Sequence, residues 1–471
     1  MSELHDLTAL EQGDRIRAGD ITPVELTEHY LERAHRLDDV GAFVHLGDDL
    51  ARQRAFEIAS IGPVGEGASP LAGVPTAIKD LNLTRGVPTE FGSPVFRGYV
   101  PEVSDAVTLA LDEAGLVSLG KTSTPEFGSP CYTEPEGRPP AVTPWDRDRM
   151  AGGSSGGAAA AVAAGLVPVA QGSDGGGSIR IPASCCGIVG LKPTRGRISG
   201  FPMYGDPVGL ATNGTLARTV ADAAALLDVL AGRWQGDPSW APEPSGTFLG
   251  ATQREPGRLR IGALVEPIIA DAQVDPEVRA AFDETTRMLA DLGHSVTDVP
   301  VPISRDAVAD FETCWEVLTA LSTVPLDADQ RAQVRPLTRW LGERGEARSG
   351  PEFGLAIGAL RRHAAEALVA LAPYDAVLTP TVATPPLPVG AIRNDADPAA
   401  DFAAQKRFTP WTSAWNVTGM PSISLPLHQS ANGLPIGMML AARPAEEELL
   451  LSLSAQVERA HPWRGHTPPG W

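Results

Sequence analysis

Histidine is missing from the middle of this chain. None of its nine histidines lies between His45 and His294. A nucleophile in that stretch has no neighbouring imidazole in sequence, and Lys79 is the notable buried-looking base upstream. Cysteine is scarce as well: Cys131, Cys185, Cys186 and Cys314 are all there are. Cys185 and Cys186 are adjacent, which is poor geometry for bridging each other, and no metal-type Cys/His spacing occurs. The thiols read as buried small hydrophobes in a reducing compartment, with no metal and no cofactor expected. No stretch approaches the roughly 18 apolar residues of a membrane helix, and the Ala-rich run from Ala158 to Val169 is too short to span a bilayer. The start, Met1-Ser2-Glu3-Leu4-His5-Asp6, lacks a basic region followed by an apolar one, so no signal peptide is expected. Positive charge is in deficit, with 38 Lys and Arg against 58 Asp and Glu and a formal charge of −20. That balance argues against a nucleic acid or an anionic membrane as partner and reads as a solubilising surface. A cytoplasmic protein is expected. No fixed-period repeat or low-complexity tract is evident.

What is present is ample material for a large core: 471 residues, 43% of them hydrophobic and 20% charged. Residues 7–60 carry apolar positions at helical spacing, and Thr22-Pro23-Val24-Glu25 is a helix start with Thr22 as cap. Leu71–Lys79 reads as a short apolar segment that ends a strand and delivers Lys79 inward. Helices are expected over Asp105–Ala114, Ala158–Gly165, Thr219–Ala231 and Pro276–Gly293. Strands are expected at Leu116–Leu119, Val167–Ala170, Arg258–Val265, Ser295–Val301, Tyr374–Pro380 and Ser422–Pro426. This alternation argues an α/β fold. Gly232–Gly257, rich in Pro, Gly and Trp, reads as a surface excursion.

Two small-residue runs stand out. One is Gly152-Gly153-Ser154-Ser155-Gly156-Gly157 and the other is Gly172-Ser173-Asp174-Gly175-Gly176-Gly177-Ser178-Ile179-Arg180. Each sets a serine among glycines, where its hydroxyl can be approached closely. The second also offers consecutive backbone N–H groups, the raw material of an oxyanion hole. Two motif readings compete with a paired role. Gly115-Leu116-Val117-Ser118-Leu119-Gly120-Lys121-Thr122 matches the phosphate-loop pattern, but Leu116–Leu119 is itself strand-like and Pro125 interrupts any following helix. A helix-to-strand junction at Gly115 and a strand exit at Gly120 explain it better. Gly152–Gly156 also fits G-x-S-x-G, the nucleophile elbow of an α/β-hydrolase esterase using Ser154. The preceding Pro144–Arg149 does not read as the strand that elbow needs. His294, His428 and His461 are available to a triad but lie in ordinary contexts.

A third reading joins both serines and Lys79. Gly73–Asp80 around Lys79, the Gly-Gly-Ser-Ser-Gly-Gly run, Asp174–Ala183 and Cys186–Thr194 together resemble the amidase signature family. The spacing 178 − 154 = 24 is that family's spacing between its two catalytic serines. Gly120-Lys121-Thr122, Pro125-Glu126-Phe127, Asn416–Pro421 and Gly433–Gly437 also match. A glycine-rich linker would account for either run alone, but not for several motifs in the family's order. The resemblance covers essentially the whole chain and is strongest over 71–200. Glu134-Pro135-Glu136 and Thr194–Ser199 resemble the free-standing bacterial type that opens 6-aminohexanoate cyclic dimer.

The resemblance implies Ser178 as nucleophile, Ser154 as bridging serine after a cis peptide, and Lys79 as base. It implies an oxyanion hole from the N–H groups of Gly175, Gly176, Gly177 and Ser178. Ser155, Asp174 and Arg180 support the site, with Asp174 holding the loop through Arg180 and both Asp80 and Asp174 pointing away from the Lys79 amine. The family usually has Ile or Thr at Gly175, Thr at Ser173 and Ser at Ala158. The implied activity is hydrolysis of an amide C–N bond, with esters, carbamates and anilides open to the same acyl chemistry. A glutamyl-tRNA amidotransferase A-type subunit is the alternative, disfavoured by charge and by Ile198–Asp206. A binding module with a degraded site is disfavoured because all three catalytic side chains are present. A pocket wall is expected from Gly128 to Cys131, Met150, and the region near Cys314 and Trp315, unless Met150, Cys314 and Trp315 are ordinary core. The implied architecture is one domain over 1–471. It has a helical segment over 1–60, a signature core over 71–200, a variable pocket region over 232–370, and a mixed twisted sheet. The sheet would have about eleven strands with helices on both faces, as a parallel-rich sheet requires. The expected partner is a small-molecule amide, ester or carbamate, and a homodimer is an open oligomeric state.

Overall fold

The computed structural model describes residues 3–61 and 68–471. Among the described residues, eleven strands run in chain order: β1 Phe43–Leu46, β2 Pro75–Lys79, β3 Val117–Thr122, β4 Val169–Asp174, β5 Val189–Lys192, β6 Thr212–Ala217, β7 Arg260–Ala263, β8 Ser295–Asp298, β9 Ala376–Pro380, β10 Ser422–Gln429 and β11 Pro435–Ala442. They form two sheets rather than the single one expected. One has three strands in the order β1-β3-β2, and the other eight in the order β4-β6-β5-β10-β11-β9-β7-β8. The ladder breaks where β2 runs beside β4. There, side chains replace the backbone pairing: Thr76 Oγ1 donates to the Val169 carbonyl at 3.2 Å, and Lys79 N–H donates to Gln171 Oε1 at 2.9 Å.

The larger sheet is mixed but mainly antiparallel, with parallel pairing only at β9-β7 and β7-β8. It is buried on both faces all the same. Along β11, Met438, Leu440 and Ala442 join one hydrophobic cluster while Met439 and Ala441 join another. Successive residues of a strand point to opposite faces, so each face of β11 has its own core. The parallel-rich expectation is therefore corrected, and helical cover alone does not make a sheet parallel.

The expected N-terminal helices form as Ala9–Ala18, Pro23–Leu37 and Asp48–Ser60, and Thr22 caps the second through a capping box with Glu25. Residues 1–60 are not wholly helical, because β1 intervenes and pairs with β3. The exit proposed at Gly120 is corrected too. β3 continues through Lys121 and Thr122, with an irregularity opposite Phe43–His45. A Cβ at Gly120 would meet the His45 carbonyl oxygen at 2.0 Å, so the crossing strand requires glycine there. Lys121 is buried; it bonds the Asn82 carbonyl and Thr89 Oγ1 and lies 3.9 Å from Asp80 Oδ1. It braces the loop after β2 rather than facing a phosphate. All four cysteines are buried and unbridged.

Candidate active site

The site forms at the seam between the two sheets. β2 ends on Lys79 and β4 ends on Asp174, so both strand ends point at the glycine–serine runs. Gln171 and Ser173 lie two apart on β4 and face β2 together. Gln171 Nε2 also donates to Asn82 and Asn213 at 2.9 and 2.8 Å, which fixes its side chain as a clamp on the Lys79 backbone. The Gly153–Ser154 peptide is cis, and the helix Gly156–Ala163 follows. Ser155 N–H donates to the Ser178 carbonyl at 3.0 Å and ties one run to the other.

Lys79 is fully buried, with Nζ 2.8 Å from Ser154 Oγ, 3.0 Å from Ser173 Oγ and 3.3 Å from the Ser173 carbonyl oxygen. Burial pulls this amine down from 10.5 to about 7, against a smaller upward pull from Asp174. Loss of water disfavours the charged amine, and none of its three bonded neighbours is a carboxylate. Ser154 and Ser178 line one cavity together with Ser173. No hydrogen bond joins their two hydroxyls among the described residues.

Asp174 is turned into the loop. Its carboxylate accepts from Gly177 N–H at 2.7 Å, Ile179 N–H at 3.1 Å, and Arg180 Nε and Nη2 at 2.9 and 2.8 Å. Burial would raise this carboxyl, but Arg180 and the other donors outweigh it and hold it well below the usual range. Arg180 is itself buried and also donates to the Thr412 carbonyl and Asn416 Oδ1. Asn416 Nδ2 returns to the Asp174 carbonyl and carboxylate at 2.9 Å each. Asp80 lies elsewhere, on Lys121 and the Glu90 N–H.

One of the expected oxyanion donors is committed. The Gly177 N–H is spent on Asp174, because the loop turns back over that carboxylate. The N–H groups of Gly175, Gly176 and Ser178 have no acceptor among the described residues. Ser155 Oγ bonds the Ser173 backbone, at 3.2 Å to its carbonyl and 3.3 Å from its N–H.

Two lobes open on Ser178. One is apolar, walled by Ile181, Ile303, Ala307, Phe311, Phe402 and Val417. The other holds Ser154 and Ser173 and is walled by Leu81, Phe127, Gly128 and Leu318. Gly128 thus lines the site, but two expected pocket residues do not. Met150 is core, packed in a cluster with Tyr132, Ile181 and Cys185. Cys314 is also core. On the helix Ala307–Thr323, Phe311, Trp315, Leu318, Thr319 and Ser322 follow one face and line the lobes, and Cys314 falls off that face. The pocket also extends beyond 232–370, drawing Phe402, Gln405, Thr409 and Val417 from later in the chain.

Residues not anticipated in these positions are Ser173 on the amine, Asn416 on the loop and Gln171 on the Lys79 backbone. Asn416 sits in a recognisable motif. Ser173 and Gln171 precede Asp174 at alternate strand positions, a pattern that would have placed them once β4 was known to run to Asp174. Histidines take no part: His294 bonds Leu259 N–H and Gln456, and His428 bonds Thr285. The elbow reading of Ser154 therefore lacks its base, since the group bonded to its hydroxyl is Lys79. Among the described residues there is no grouping of His, Cys, Asp and Glu that could hold a metal ion, and no helix long and apolar enough to cross a membrane.

A desolvated lysine on a serine, beside a glycine loop with free N–H groups, is equipped for acyl chemistry, and the protein is a hydrolase acting on amide C–N bonds. The chain belongs to the amidase family, whose model matches residues 25–451. It is 36% identical over 484 aligned residues to the 6-aminohexanoate-cyclic-dimer hydrolase of Paenarthrobacter ureafaciens, covering 98% of this chain and 96% of that protein. A structure of 6-aminohexanoate cyclic dimer hydrolase complexed with substrate superimposes with a TM-score of 0.92 at 34% identity, covering 99% of both chains. A bacterial aryl acylamidase of the amidase signature family superimposes with a TM-score of 0.87 at 27% identity, covering 98% of both.

Proposed function

We propose that the chain hydrolyses amides of apolar acyl groups through a Ser178 acyl-enzyme. The observation that carries this reading is the Lys79 amine, buried, lowered to about 7 and 2.8 Å from Ser154 Oγ on the wall that Ser178 shares. Neutral Lys79 takes the Ser154 proton as Ser154 takes that of Ser178, and Ser178 Oγ bonds to the carbonyl carbon. The free N–H groups of Gly175, Gly176 and Ser178 hold the oxyanion. On collapse the C–N bond breaks, and the proton returns through Ser154 to the leaving nitrogen. Water, deprotonated by the same relay, then adds to the ester carbonyl, and the acid leaves with Ser178 reprotonated.

Ser154 lines only the lobe on the Lys79 side, so the amine departs there and the acyl group occupies the apolar lobe. Lactams and anilides are the classes to test first, in keeping with the names of the two relatives. The decisive experiment is Ser178→Ala with an acyl 4-nitroanilide, alongside fluorophosphonate labelling of the wild type. Turnover should vanish, and the label should map to Ser178. Substantial turnover in the variant would sink the assignment.

A further inference from the structure

Three residues line both lobes: Ser129, Ser178 and Trp315. Trp315 is held on three sides. Its Nε1–H donates to Ser129 Oγ at 3.2 Å. Its ring stacks on Phe311, one turn earlier on the same helix, with centroids 5.5 Å apart and planes 18° apart. Its six-membered ring covers the glycine loop. A Cβ built on Gly175 would lie 3.6 Å from Trp315 Cη2 and Cζ3, and one built on Gly176 would lie 3.9 and 4.0 Å from the same atoms. Gly175 and Gly176 are not among the glycines with left-handed backbone. Their conformation therefore admits a side chain, and at Gly175 the nearest atoms beyond a Cβ belong to the indole ring.

We infer that Trp315 positions the oxyanion loop and determines acyl specificity, a reading that rests on the Ser178 acyl-enzyme above. The indole stands where the atoms beyond a Cβ at 175 would extend. It bounds the space over the backbone whose N–H groups must face the carbonyl oxygen, one van der Waals contact beyond a Cβ at 175 or 176. The same ring stands between the apolar lobe and the relay lobe, so it limits how far an acyl group extends past Ser178. Its bond to Ser129 and its stack on Phe311 keep it from swinging aside. An off-position of about 1 Å in such a loop costs on the order of 100-fold in rate. Contacting residues that replace one another should show strong non-additivity.

The test is a cycle of wild type, Trp315→Ala, Gly175→Ile and the double variant, assayed on acyl 4-nitroanilides of increasing acyl length and labelled with a fluorophosphonate. Each single variant should lose kcat by about 10- to 100-fold, one through a gap and one through a clash. The double variant should recover to within about tenfold of wild type, because the new side chain occupies the vacated space. Trp315→Ala should also raise kcat/KM for long acyl groups relative to short ones. Trp315→Phe, which keeps a ring over the loop, should retain kcat within about tenfold and guards against a misfolded alanine variant. Losses that multiply in the double variant, an unchanged acyl-length preference, or a phenylalanine variant as impaired as the alanine one would each overturn the inference. If those results come with Ser178 labelled, the acyl-enzyme reading survives without it. No label on Ser178 in the wild type would overturn both.

Discussion

Replacing Ser173 with alanine tests the proposed role of Lys79 as a base. The amine has three polar neighbours: Ser154 Oγ, Ser173 Oγ and the Ser173 carbonyl. A protonated amine gives one N–H to each. A neutral amine gives its two N–H groups to Ser173 and turns its lone pair to the Ser154 hydroxyl. Burial lowers the amine from 10.5 to about 7. That change corresponds to about 5 kcal/mol against the charged form. At pH 7 roughly half of the amines are then neutral, against roughly one in 3,000 for an ordinary lysine. Ser173→Ala removes one acceptor. A hydrogen bond from a charged donor contributes about 1.5–3 kcal/mol and a neutral one about 1, so the cation loses about 1 kcal/mol more than the neutral amine. The weakened form is the acid, so the amine titrates lower, by about 0.7 pH units. In the wild type, kcat/KM for an acyl 4-nitroanilide should rise tenfold per pH unit below about 7 and level off above it. In Ser173→Ala the levelling should come about 0.7 pH units earlier, at a reduced plateau, because one N–H of the neutral amine is left without its partner. An inflection that stays in place or moves to higher pH would refute the argument.

Two further substitutions test the same geometry. Asp174→Asn leaves Arg180 buried with an uncompensated charge, so chemical denaturation should show a loss of about 3–5 kcal/mol, and an unchanged midpoint would contradict the buried pair. Asp174 also raises Lys79, so the pH inflection of any folded Asp174→Asn enzyme should move lower. Gly128→Ala puts a Cβ 2.5 Å from Leu81 Cδ1 and 3.3 Å from Ser154 Oγ at a backbone φ of +67°. It should cost on the order of 100-fold in kcat/KM, and wild-type kinetics would show that Ser154 is not so tightly held.

Local signals carried the elements whose cues are local. The Thr22 cap and Glu25 announce the helix Pro23–Leu37, and the amphipathic run after Pro276 announces the helix Pro276–Asp291. Elements with no local cue went unseen. β5 is four residues long, and β6, Thr212-Asn213-Gly214-Thr215-Leu216-Ala217, has no apolar–polar alternation and carries Asn213 and Gly214, poor strand formers, in its first half. Both are strands because their neighbours in the sheet pair with them, a non-local reason. The site divides in the same way. Its motif residues were visible because chemistry needs a serine among glycines and a lysine that can be desolvated. For Met150 and Cys314 the sequence leaves pocket and core both open, and the fold puts both in the core, because which side of a loop or helix faces a cavity depends on packing.

By itself the amino-acid sequence determined the α/β class, the candidate nucleophiles and base, and the absence of histidine between them, since residue identity and order along the chain decide these. Tertiary structure alone decided the rest. It broke the sheet between β2 and β4, so that two strand ends bring Lys79 and Ser173 together. It turned Asp174 onto Arg180 and took the Gly177 N–H with it. It laid Trp315 against Gly175 across a long sequence separation. Burial, which makes a lysine into a base, belongs to the whole fold and to no local segment.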